Sequence, residues 1–114
     1  MTNRYISIRP SERAHVTPPS FQRISKALAD DQRSRLLERI AVRGEVCCSE
    51  LVQWSRVSQA TVSHHLKELV AAELVDRRKD GQFAYFSFRA ETMQAYVDEL
   101  GKRLQLTAGV GGRP

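Results

Sequence analysis

VSQATVSHHLKELVAAELVDRRKDGQFAYFSF, Val57 to Phe88, is the stretch whose reading decides the fold. Ser58 suits a helix N-cap, since its hydroxyl can accept an orphan backbone N–H of the first turn. Val62, Leu66 and Leu69 follow at i, i+4 and i+7, an apolar stripe turned towards a core. Ala60, Ser63, His64 and Lys67 project from the opposite face, with Gln59 and Thr61 in the first turn. That face is small and polar near its start, as a surface that approaches base edges closely has to be. After Ala71-Ala72-Glu73 the period changes. Asp80-Gly81 predicts a two-residue hairpin turn, because glycine tolerates the positive φ of a tight primed turn. Leu74 to Lys79 and Gln82 to Phe88 supply the strands, and Arg77-Arg78-Lys79 sets three positive charges beside the turn. A polar-faced helix followed by a hairpin with a cationic tip predicts a winged helix-turn-helix, mainly α with a β-hairpin wing. Its candidate DNA contacts are Ser58, Gln59, Ala60, Thr61, Ser63, His64, Lys67, Arg77, Arg78, Lys79 and Gln82.

Working back from Ser58, Ser55-Arg56-Val57 is the turn, preceded by a short helix over Ser49 to Trp54. Asp30 predicts the N-cap of a helix over Asp31 to Arg43, with Leu36, Leu37, Ile40 and Ala41 apolar and Gly44 as its stop. Ser20 predicts the cap of a first helix in which Phe21, Ile24, Ala27 and Leu28 share a face. Met1 to Pro19 lacks periodicity and reads as a basic arm. Beyond the wing, Glu91 to Gln105 predicts a last helix with Met93, Tyr96, Val97, Leu100 and Leu104 on one stripe. Residues 107–114 form a glycine-rich tail. The expected order is four helices, two strands and a fifth helix over residues 20–106, between a flexible arm (1–19) and a flexible tail (107–114).

The 114 residues suffice for one domain with a modest core but not for an enzyme with a deep cleft. No nucleophile and base converge in the pattern, so the chain is expected not to be an enzyme. A net charge of +5 and a pI near 9.7 favour a polyanionic partner. Residues 1–26 carry Arg4, Arg9, Arg13, Arg23 and Lys26 against Glu12 alone. No apolar run approaches a membrane span and no signal-peptide core is present, so the expected location is cytoplasmic, without membrane partners. The first and last helices carry more apolar surface than a small domain covers alone. A homodimer through Phe21, Ile24, Leu28, Met93, Tyr96, Val97, Leu100 and Leu104 is expected, with palindromic double-stranded DNA as its partner. An outer helix face rich in apolar residues would instead have indicated a protein-interaction module. This one is polar.

Taken together, these residues resemble the ArsR/SmtB family of small winged-helix repressors. The resemblance rests on Ala27-Leu28-Ala29-Asp30 before Arg33-Ser34-Arg35-Leu36-Leu37, on Gly44-Glu45-Val46-Cys47 before Glu50-Leu51, on Ser58 to Leu66, and on the wing from Arg77 to Phe86. It implies a dimeric repressor that releases its operator when a signal arrives. Arsenic- and cadmium-sensing members carry Cys-x-Cys at the third helix. Here Cys47-Cys48-Ser49 moves the second thiol forward by one and places serine where it belongs. Neighbouring helical side chains point about 100° apart, so the two thiols are poorly placed to chelate one ion. Zinc-sensing members use Asp/His in the last helix, and no histidine follows His65.

Cys47 and Cys48 therefore admit two readings: small hydrophobes beneath a helix start, or a redox- or metalloid-responsive thiol site favoured by the helix N-terminus. Arsenite or another soft metalloid is the only ligand the sequence suggests, and no resident cofactor or metal is expected. His64-His65 is not a metal pair, because adjacent positions do not face one ligand. By helical phase His65 turns to the core and His64 to solvent or DNA. His15 in the arm is an unconstrained partner for Cys47.

Overall fold

The computed structural model describes residues 16–106. Its elements run α1 (Pro18–Ala29), α2 (Asp31–Arg43), β1 (Glu45–Cys47), α3 (Cys48–Ser55), α4 (Gln59–Ala71), β2 (Val75–Asp80), β3 (Phe83–Phe88) and α5 (Ala90–Arg103). Caps set most of these limits. The Asp30 carboxylate accepts the Arg33 N–H at 2.9 Å and starts α2. Gly44 ends it at φ 93°, a conformation that a Cβ would strain. Ser58 starts α4 as predicted, its hydroxyl accepting the Thr61 N–H at 3.2 Å. α1 begins ahead of the expected Ser20 cap. Thr17 caps it, and Pro18-Pro19 sit in the first turn, where an N–H has no helical partner to lose.

The sheet holds one strand more than the sequence predicts. β1 pairs antiparallel with β3 (Glu45↔Ser87, Val46↔Phe86, Cys47↔Tyr85), giving the order β1-β3-β2. The hairpin turn also lies one residue later than expected. Asp80 pairs with Phe83, so Gly81-Gln82 makes the turn, with Gly81 at φ 64°, and Gln82 is not a strand residue.

Ile24, Leu36, Ile40, Leu51, Val62, Leu66, Leu69, Leu74 and Val75 are each less than 2% exposed and form the core beneath α4. Side chains of this size contribute roughly 1.5–3 kcal/mol each on burial. Val46 and Phe86 bring β1 and β3 into the same cluster. α5 turns its small residues Ala90, Thr92 and Ala95 inward. It docks on α1 through Tyr96, whose ring stacks on Phe21 at 4.8 Å and whose hydroxyl meets Ser25 Oγ at 2.9 Å.

The proposed dimer residues thus divide. Phe21 and Ile24 are buried in their own chain and offer little to a partner, whereas Val97 and Leu104 are 49% and 60% exposed. Leu28, Met93, Tyr96 and Leu100 are half-buried. Periodicity identifies an apolar face but not which molecule covers it. No helix among the described residues is long and apolar enough to cross a membrane.

Candidate nucleic-acid interface

α3, the Ser55–Val57 turn and α4 form the helix-turn-helix. Arg56 makes the turn in the left-handed conformation (φ 61°), its N–H bonded to the Val52 carbonyl. From α4, Gln59, Ser63 and Lys67 form one row at i, i+4 and i+8. They line a cleft of about 440 Å³ with Arg77 and Gln82 of the wing, above Leu66, Val70 and Phe86. Five of the sequence-predicted contacts therefore converge on one groove. Ala60 and His64 are exposed on α4 outside this lining. Ser58 and Thr61 are engaged with each other, the Ser58 hydroxyl donating to Thr61 Oγ1 at 2.9 Å.

The three wing cations do not act alike. Strand alternation sends Arg77 and Lys79 to one side and Arg78 to the other. Arg78 lies over the Tyr85 ring at 4.6 Å and donates through Nε and Nη2 to both Glu45 carboxylate oxygens, at 3.1 and 3.0 Å. The Arg78 hydrogen bond holds the Glu45 carboxyl below the usual carboxylate range, and Glu45 raises the guanidinium in return. Arg77 and Lys79 form no ion pair among the described residues. The Glu45 contact escapes sequence reasoning because β1 itself does.

Cys47 is the N-cap of α3 and the last residue of β1; Cys48 is the first residue of the helix. The expected start at Ser49 is one residue late. Cys47 is buried, with its N–H donated to Glu50 Oε1 at 3.1 Å and its sulfur 3.4 Å from Ser49 Oγ. Cys48 is half-buried, and it borders both the cleft between α4 and the wing and a second cleft of about 510 Å³ shared with Cys47, Gln59 and Gln82. The two thiols thus open towards the start of the reading helix. Among the described residues, no three His, Cys, Asp or Glu side chains form a group that could hold a metal. His15 and the arginines at 4, 9 and 13 lie outside the described residues, as does the tail. Arg23 of α1 donates to the Ala71 carbonyl at the end of α4 (3.2 Å).

A reading helix that shares a cationic groove with a β-wing defines a DNA-binding transcriptional regulator of the winged helix-turn-helix class. Residues 30–77 match the family described as bacterial regulatory proteins, arsR family. The chain is 38% identical over 87 residues to an arsenic resistance transcriptional regulator of Pseudomonas putida, spanning 76% of this chain and 65% of that one. It is 35% identical over 77 residues to an arsenical resistance operon repressor of Staphylococcus aureus, spanning 68% of this chain and 73% of that one. A homodimeric winged helix-turn-helix domain from Mycobacterium bovis shares the fold, with a TM-score of 0.63 at 21% identity, over 83% of this chain and 89% of that one. The chain belongs to the arsR family.

Proposed function

We propose that this chain is a homodimeric repressor that holds a palindromic operator and releases it on a chemical signal. The convergence of Gln59, Ser63 and Lys67 with Arg77 and Gln82 around one groove carries the reading. The helix supplies hydrogen-bonding groups for base edges and the wing supplies charge for the phosphates. Exposed Val97 on α5 and Leu104 at its C-cap offer apolar surface for a second copy. A twofold pair would read half-sites about one helical turn, 10–10.5 base pairs, apart or at a multiple of that. Repression is the activity named for the S. aureus relative. Such a protein works where the DNA is, in the cytoplasm. The test is a gel shift against the DNA upstream of its own coding sequence, at stated salt. Retarded bands competed by specific but not by random duplex support the reading, and equal competition by both overturns it.

A second reading concerns the signal. Cys48 borders the groove used for DNA, and Cys47 shares its second cleft, so a species taken up by these thiols would act beside Gln59. Trivalent arsenic suits this chemistry, because each As–OH exchanges with an S–H to give As–S and water. The arsenic resistance regulator of P. putida lends it support. Operator release by arsenite that is lost in a Cys47→Ser, Cys48→Ser double variant is the expected result.

A further inference from the structure

Two adjacent histidines on the reading helix have opposite surroundings. His64 is exposed on the outer face, whereas His65 is 6% exposed and turned against α2. His65 Nε2 lies 2.9 Å from Gln32 Oε1, and its Nδ1 lies 3.5 Å from Arg33 Nη1. An amide oxygen only accepts and a guanidinium only donates. Both contacts are therefore satisfied by one species, the neutral ring with its hydrogen on Nε2. We propose that His65 is a positioning residue for DNA recognition, a neutral-imidazole latch holding α4 against the start of α2. Mild acid then loosens the reading helix and weakens operator binding.

Protonation would put a second N–H on Nδ1, pointing at Arg33, donor against donor and cation against cation. Arg33 has little freedom to withdraw. Its Nε donates to the Ala27 carbonyl at 2.9 Å and its Nη2 to the Lys26 carbonyl at 3.3 Å. Among the described residues Asp30 is the opposing charge, with Oδ1 3.9 Å from His65 Nε2, but that oxygen already accepts the Arg33 backbone N–H as the cap of α2. From its own helix, only His64 faces the ring, at 5.9 Å between centroids. Burial pushes the His65 ring below the usual histidine range; Asp30 pulls it up, and Arg33 and His64 push it down. A depressed histidine stabilises the fold above its unfolded pKa of about 6.5, and this contribution is lost as pH falls below that value.

The experiment rests on the DNA-binding reading and is arranged to fail separately from it. Affinity for the upstream duplex is measured by fluorescence anisotropy at constant ionic strength, from about pH 7.5 to about 5.5, the window in which histidine titrates. The proteins are wild type, His64→Ala and His65→Gln, whose amide can also donate to Gln32 and accept from Arg33. In His64→Ala, which removes the exposed neighbouring ring and leaves the His65 contacts in place, affinity should fall by about threefold or more per pH unit, below the tenfold limit for one proton. Adding His65→Gln should flatten the profile. A flat profile in His64→Ala, or a fall that survives His65→Gln, overturns the proposal. Nitrogen NMR of wild type near neutral pH is independent of both DNA and variants. It should find hydrogen on Nε2 and none on Nδ1, and the reverse tautomer overturns the latch. Absence of DNA binding at every pH sinks the functional reading and leaves the tautomer to decide the latch.

Discussion

Arg78 of β2 reaches over the Tyr85 ring and closes a two-pronged hydrogen bond on Glu45 of β1, spanning all three strands of the sheet. The middle cation of the Arg77-Arg78-Lys79 run is thus tied to Glu45, and in the proposed interface its neighbours carry the phosphate-facing charge. Arg77→Ala and Lys79→Ala should each flatten the slope of log affinity against log salt by about 0.9, one phosphate contact each. Arg78→Ala should flatten it less. Salt titrations on one duplex check the ranking, and an Arg78 effect larger than that of Arg77 contradicts it.

Gln59 starts α4 within the groove. Its amide is suited to a bidentate pair with adenine. Gln59→Ala should relax preference at one position per half-site and cost on the order of 1–3 kcal/mol there. Affinities over a set of single-base operator variants measure this. A uniform loss over all variants would make Gln59 a backbone contact.

Two kinds of apolar substitution should separate cleanly. Ile24→Ala removes a side chain buried within its own chain and should cost about 2–5 kcal/mol of fold stability. Val97→Lys on α5 with Leu104→Lys at its C-cap changes exposed positions and should shift sedimentation towards monomer, lowering the thermal midpoint only as far as the lost association requires. A double lysine variant that remains dimeric at micromolar concentration removes these residues from the interface.

Operator release by arsenite, peroxide and zinc can be compared in wild type and in the Cys47→Ser, Cys48→Ser variant. Thiol chemistry predicts release by arsenite or peroxide in wild type alone. Zinc prefers four nitrogen, sulfur or oxygen ligands, and the α3 start does not assemble such a set. Zinc-driven release from both proteins would point to a site away from these cysteines.

Much of this architecture is legible in the sequence, where local chemistry dictates it. Asp30 and Gly44 bound α2, and Ser58 starts α4, because a cap needs only its own side chain and the next turn. The groove contacts on α4 follow from period alone, as does the inward turn of His65. β1 was hidden because three residues carry no alternation worth reading, and its pairing with β3 joins positions 38 to 42 residues apart, from Cys47↔Tyr85 to Glu45↔Ser87. The slip of the turn to Gly81-Gln82 has a similar origin, since cross-strand partners set the register as well as the glycine. Phe21 and Ile24 look like interface residues until Tyr96 and the core are seen to cover them. The partners of His65 left no signal, because Gln32 and Arg33 are ordinary residues of a helix's first turn.

The short β1 strand also couples the wing to the helix-turn-helix. Its last residue is the cap of α3, and its neighbour across the ladder is the middle strand of the wing. The wing is geared to the helix-turn-helix instead of hanging from it as a separate flap. A disturbance at Cys47 is a disturbance of the strand opposite Tyr85, so under the proposed reading both halves of the grip should open in step. If DNA is held as proposed, dissociation should follow a single kinetic phase in stopped-flow measurements, with no intermediate in which the wing has released and the helix still holds.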